Sequence, residues 1–177
     1  MKNVYVVISE TGSGPSRFLQ YFTKDHYVHV SLGLNEELTE MYSFARRWRY
    51  YPFWSGFIRE CINQGTYERF KDTRIAVIKL PVSDEVYEDV KAELRAMYPH
   101  RKKFRYNYIG VFLAHFGKLF QRKTCFYCSE FVQKILSEHG LGVDKENLPV
   151  KPVDFLQLKN SKVIFEGLMR EYAPAKA

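Results

Sequence analysis

Two residues of this 177-residue chain have the type and local setting for acyl chemistry. The string Phe126-Tyr127-Cys128-Ser129-Glu130-Phe131-Val132 puts a cysteine at the first turn of a helix that reads over Ser129–His139 and is ended by Gly140. Unpaired backbone N–H groups and the helix dipole there favour an anion, and so a thiolate. His29 lies in Tyr27–Leu34 (YVHVSLGL), where Val28, Val30, Leu32 and Leu34 point one way and Tyr27, His29, Ser31 and Gly33 the other. A neutral imidazole beside a thiol can take its proton and later return it to a leaving group. Each residue also has a plainer reading. A strand histidine is more often structural and satisfied by hydrogen bonds, and a helix-start cysteine is more often a small core residue.

Other candidates carry less. Cys125-Phe126-Tyr127-Cys128 is a C-x-x-C, but no βαβ pattern precedes it, which weighs against a thioredoxin-like redox pair. Zinc would need two further ligands, and neither His100 nor His139 has the spacing. No metal and no cofactor is therefore expected. Glu130, two residues past Cys128 on a helix, points away from it and reads as structural or as part of a lip. His26, His100, His115 and His139 have no comparable context.

The elements that must position the pair are legible in part. Val4–Ser9 is a buried strand. Thr11–Pro15 is a turn, and Ser16–Lys24 a short helix. Tyr27–Leu34 and Thr39–Ala45 make a β-hairpin around Asn35-Glu36-Glu37. Arg47–Asn63 reads as a long aromatic and arginine-rich loop; its Trp48–Trp54 part is either a lid over a substrate or simply packed. Thr66–Phe70 is a short strand, and Arg74–Leu80 a strand closed by Pro81. Ser83 caps a helix running to about Tyr98. Tyr106–Phe120 is an apolar, aromatic helix, Pro152–Phe155 opens a short helix, and Val163–Phe165 is a late strand. The sum is one α+β domain over residues 1–177.

Composition narrows the class. The chain is 46% hydrophobic and 16% aromatic, enough for a sizeable core and too much for a disordered chain. Formal net charge is +7, with cations gathered at Arg46-Arg47-Trp48-Arg49, His100–Arg105 and Arg122-Lys123. They read either as solvated surface or as contact with an acidic partner, such as an anionic membrane or cell-wall polymer. No nucleic-acid motif accompanies them, so nucleic acid is not expected. Three cysteines are not a disulfide framework. The opening Met1-Lys2-Asn3-Val4 has no signal-peptide pattern and no uncharged apolar run could span a bilayer, so a cytoplasmic location is expected.

Three segments resemble one family. Ser16–Leu34, with Thr23 followed by His29-Val30-Ser31, is similar to the N-terminal half of the YiiX-like proteins, the circularly permuted branch of the NlpC-type, papain-fold cysteine peptidases. Tyr127–Val132 resembles that family's aromatic-Cys-Ser-Glu box, and Pro152–Phe155 its late Pro-x-Asp turn. His29 precedes Cys128 by 99 residues, which is the permuted order. The resemblance implies a permuted papain-like fold, with an antiparallel sheet carrying His29 packed on the helix that presents Cys128. It also implies hydrolysis or transfer at an amide, ester or thioester of a small-molecule, peptide or lipid-like substrate, through an acyl group on Cys128. The oxyanion would lie at the Cys128 backbone N–H and a neighbouring group; Tyr27 and Tyr127 are the candidates for that group or the cleft, and Tyr27 has simple packing as its alternative. Such families orient the histidine with a polar partner. With the hairpin turning at Glu36, facing residues sum to about 72, so His29 faces Ser43. Glu40 would need a shift in register that sends its side chain to the other sheet face. Ser43 is a weaker orienter than a carboxylate, which keeps a weak or inactive binding module of the same fold open beside a lipid-directed acyltransferase or lipase.

Overall fold

A computed structural model describes residues 1–10, 27–47, 55–70, 72–145 and 148–174. The expected turn at Thr11–Pro15, the helix at Ser16–Lys24, His26 and the Trp48–Trp54 segment lie outside them. The chain is α+β, and its centre is an eight-stranded sheet in the order β7-β6-β4-β3-β2-β1-β5-β8. The strands are β1 (Lys2–Glu10), β2 (His29–Gly33), β3 (Met41–Arg46), β4 (Ser55–Glu60), β5 (Arg74–Val82), β6 (Arg105–Tyr106), β7 (Cys125–Phe126) and β8 (Lys162–Leu168). All neighbours pair antiparallel except β6 and β7. The helices are α1 (Thr66–Arg69), α2 (Asp84–Met97), α3 (Tyr108–His115) and α4 (Cys128–Glu138), with a 3-10 turn at Pro152–Gln157.

β1 is buried from Val4 to Ser9 because both sheet faces are covered. Val4, Val6 and Ile8 join Val30, Leu32, Phe44 and Phe57 beneath α2 and α4, which contribute Val90 and Leu94, and Phe131, Val132 and Ile135. Tyr5 and Val7 face a smaller cluster with Leu38, Met41, Tyr67 and Met169. The two faces of β1 thus serve two cores.

Several elements differ from expectation. Part of the expected Arg47–Asn63 loop is strand β4, paired with β3 through Phe44 opposite Phe57. Its alternation is masked because Arg59 and Glu60 follow directly on Phe57-Ile58. Thr66–Arg69 is a helical turn, not a strand: Tyr67 is buried while Glu68 and Arg69 are exposed, and Tyr67 and Phe70 stand three apart, as on a helix. β5 runs past Pro81, which sits beyond the last pair with β8, Lys79 opposite Lys162, so its missing N–H breaks no ladder bond on that side. α3 stops at His115. Gly117 takes φ 70° and closes a Schellman cap, its N–H donating to Ala114 O at 3.0 Å and that of Lys118 to Leu113 O at 3.0 Å. The Ser83 cap forms as read, its Oγ accepting from Val86 N at 3.2 Å.

The hairpin register also shifts. Leu32 lies opposite Tyr42 and Gly33 opposite Met41. The loop is centred on Glu37, closed by Leu34 N to Glu40 O at 3.0 Å. Leu38, at φ 53°, drops its side chain into the smaller core. Asn35 Oδ1 accepts from the backbone N–H groups of Thr39 and Glu40 at 3.1 and 3.2 Å and holds the longer loop. The displacement is two residues, so Ser43 keeps its face but aligns with Ser31 and not with His29.

Candidate functional site

α4 packs on one face of the sheet through Phe131, whose ring centroid lies 5.1 Å from that of Phe44 and 5.3 Å from that of Phe57. This fixes the height and tilt of its first turn. Cys128, the first residue of α4, meets the start of β2: its thiol donates to Val28 O at 3.9 Å. Val28 directly precedes His29, the first residue of β2, and Cys128 is among the groups that act on the His29 imidazole. The two residues singled out from the sequence therefore stand side by side.

The group that orients His29 is Glu60, at the end of β4. Its Oε2 lies 3.2 Å from His29 Nε2 and accepts from Ser31 Oγ at 2.5 Å and Ser43 Oγ at 2.7 Å. Glu60 and His29 side chains are only 9% and 16% exposed, so this is a nearly buried ion pair with its carboxylate satisfied by two hydroxyls. Ser43 is thus a donor to Glu60, not the facing partner of His29, because the register aligns it with Ser31, two residues further along. Glu40 is not in the site. It forms a bidentate pair with Arg95 of α2 at 2.8 and 2.9 Å. Glu60 was missed because its strand was read as loop; the available signal was a lone acid ending the apolar Phe57-Ile58.

Burial alone would push the His29 imidazole down. The neighbouring Glu60 carboxylate, with a smaller contribution from the Cys128 side chain, overcomes it and holds His29 up at about 10. Burial would raise the Glu60 carboxyl, but His29, Ser31 and Ser43 keep it below the usual carboxylate range. Both shifts favour the charged forms of the pair.

The two tyrosines read as oxyanion or cleft candidates have partners of their own. Tyr27 donates its hydroxyl to Glu166 Oε1 of β8 at 2.7 Å. Tyr127 is buried at the cap of α4, and its backbone N–H donates to Glu130 Oε2 at 3.2 Å. Glu130 also accepts from Asn107 Nδ2 at 3.3 Å, a structural role beneath the helix start. Tyr106 of β6, which the sequence did not flag, packs against the core cluster that contains Cys128. Burial pushes its hydroxyl well above the usual range and keeps it protonated. Tyr67 faces the same cluster from α1, 3.4 Å from Ser9 Oγ.

Cys61, Cys125 and Cys128 are all free thiols. Among the described residues no group of three or more His, Cys, Asp or Glu is arranged to hold a metal ion, and no helix is long and apolar enough to cross a membrane. A cleft of about 1340 Å³ opens beyond Glu60, lined by Arg46, Arg59, Tyr67 and Arg69 among others; it touches the pair through Glu60, not through Cys128 or His29. No protein-family model, curated protein or solved structure matches this chain.

Proposed function

We propose that the protein is a cysteine hydrolase or acyltransferase in which Cys128 is the nucleophile, His29 the acid–base and Glu60 the residue that orients His29. The observation that carries this reading is the Cys128–His29–Glu60 alignment: a helix-start thiol, an imidazole beside it, and a buried carboxylate on that imidazole's Nε2. With Nε2 engaged by Glu60, Nδ1 is the nitrogen that serves the sulfur. The resemblance to the permuted, YiiX-like branch of papain-fold enzymes supports the same assignment, as does an antiparallel sheet carrying His29 beneath the helix that carries Cys128.

The chemistry follows from the charges. The Cys128 thiolate attacks the carbonyl carbon of an amide, ester or thioester, forming a C–S bond and a tetrahedral oxyanion. The first-turn N–H of Cys128 and the protonated hydroxyl of Tyr106 are the donors proposed for that oxygen. The imidazolium gives its proton to the leaving group as the carbonyl–heteroatom bond breaks, leaving an acyl thioester on Cys128. Neutral His29 then takes a proton from water or another acceptor, which attacks the acyl carbon, and the C–S bond breaks to restore the thiolate. A buried carboxylate partner favours turnover over an inactive binding module, whose support was the apparent lack of one.

Trapping tests this directly. Incubation with an activated acyl ester, followed by peptide mass analysis, is expected to find the acyl mass on the Cys128 peptide and to lose it in C128A. An adduct equally abundant on Cys61, or none on Cys128, would overturn the assignment.

A further inference from the structure

The segment joining β6 to β7 is apolar and turned outward. Among the described residues nine large hydrophobic side chains are exposed, and six of them are Tyr108, Ile109, Phe112, Phe116, Leu119 and Phe120. Ile109, Phe112 and Phe116 are 54%, 65% and 61% exposed, and the Phe112 and Phe116 rings touch each other at 5.3 Å rather than the core. A concentration of this kind on one short segment marks a contact surface.

Its flanks are cationic. Arg101, Lys102, Lys103 and Arg105 precede it and Lys118, Arg122 and Lys123 follow or interrupt it, all exposed, and no acidic residue occurs from Arg101 to Ser129. Aromatic and aliphatic side chains ringed by cations match the boundary of an anionic bilayer, where rings enter the headgroup layer and cations meet lipid phosphates. A second copy of the chain fits poorly, because a two-fold contact through this face would set these cations against their equivalents.

The segment is not a loose flap. Asn107 caps α3 by accepting from Gly110 N at 2.9 Å, and its Nδ2 donates to Phe120 O at 2.7 Å and to Glu130 Oε2. One side chain thus ties both ends of the apolar segment to the first turn of the helix that carries Cys128. A Cβ on Gly110 would collide with that side chain, so the close approach requires glycine.

We infer that α3 and the turn after it dock this protein on an anionic membrane surface, lying in the interface without spanning it. The docking stands on this surface alone. Joined to the hydrolase reading, it assigns as substrate an acyl group presented at the bilayer surface, with Cys128 one tether away from the lipid.

The test is co-sedimentation of the full chain with phosphatidylcholine vesicles containing about 30% phosphatidylserine, and with pure phosphatidylcholine. Binding is expected to the anionic vesicles, to weaken on raising salt to about 0.5 M, and to fall at least about tenfold in F112D/F116D. Both positions are exposed, so near-UV dichroism is expected to be unchanged. R122E/K123E provides an independent reading, with anionic binding reduced about tenfold or more and neutral binding unaltered. The inference is overturned by absence of binding to anionic vesicles, by F112D/F116D binding as wild type, or by a lipid-free dimer that F112D/F116D dissociates. Acyl trapping on Cys128 in detergent-free solution separates the two claims, since it reports on the Cys128–His29–Glu60 trio whether or not the membrane contact holds.

Discussion

One carboxylate oxygen, Glu60 Oε2, receives His29, Ser31 and Ser43 at once. The three contributions are unequal, because one is to a cation and two are to hydroxyls. Replacing Glu60 by Gln leaves a neutral acceptor beside a buried imidazole, and acyl transfer is expected to slow by about a hundredfold or more. Removing the Ser43 hydroxyl takes away one neutral donor, so S43A is expected to lose less than about tenfold. Equal losses in the two variants, measured as steady-state rates on the same ester, would mean that Glu60 does not orient His29. At this scale the sequence pointed to Cys128 and His29, which the structure brings together, since helix start and strand alternation are local patterns. It hid Glu60, which lies 31 residues from His29 and becomes its partner only through strand pairing.

Strand β4 delivers Glu60, and two contacts hold it in place. Gly56 lies opposite Arg105 of β6, and a Cβ there would strike the backbone oxygen of Phe104 and the Arg47 guanidinium. G56A is expected to cost about 1–3 kcal/mol in denaturant melts, because backbone has to move apart to admit the methyl. Phe131 holds the other side of the site by seating α4 on Phe44 and Phe57. F131A is expected to lose about 3–5 kcal/mol, the range for deleting a fully buried ring. A loss under about 1 kcal/mol at either position would show that the element is anchored elsewhere. Periodicity marked α4, β1 and β5 because each has a long apolar pattern. It did not mark β4, whose short apolar core of Phe57 and Ile58 gives no alternation to read. The two-residue slip between β2 and β3 also escaped it, because Leu38 occupies a left-handed conformation more typical of glycine or asparagine.

For the whole molecule, the buried His29–Glu60 pair links stability to pH. His29 is raised from 6.5 to about 10 on folding, so its contribution is complete below pH 6.5 and declines as pH rises toward 10. Glu60 is lowered from 4.5, so its contribution is present above that pH and is lost as acid protonates it. Stability is expected to be greatest between these limits and to fall on the alkaline side by roughly 1 kcal/mol per pH unit, with E60Q flattening the slope. A wild-type melt unchanged from pH 6.5 to 10 would contradict a charged buried pair. At the scale of the chain, composition announced a large aromatic core, and the pattern of elements an α+β fold. What composition could not convey is which aromatics are inside: Phe44, Phe57 and Phe131 are buried, whereas Phe112 and Phe116 face outward. The central claim, that Cys128 is a nucleophile held ready by His29 and Glu60, meets its most direct test in the rate of Cys128 alkylation by iodoacetamide at pH 7. Expected is a rate at least about tenfold above that of a free model thiol, dropping toward it in H29A; a wild-type rate no faster than the model thiol would contradict the claim.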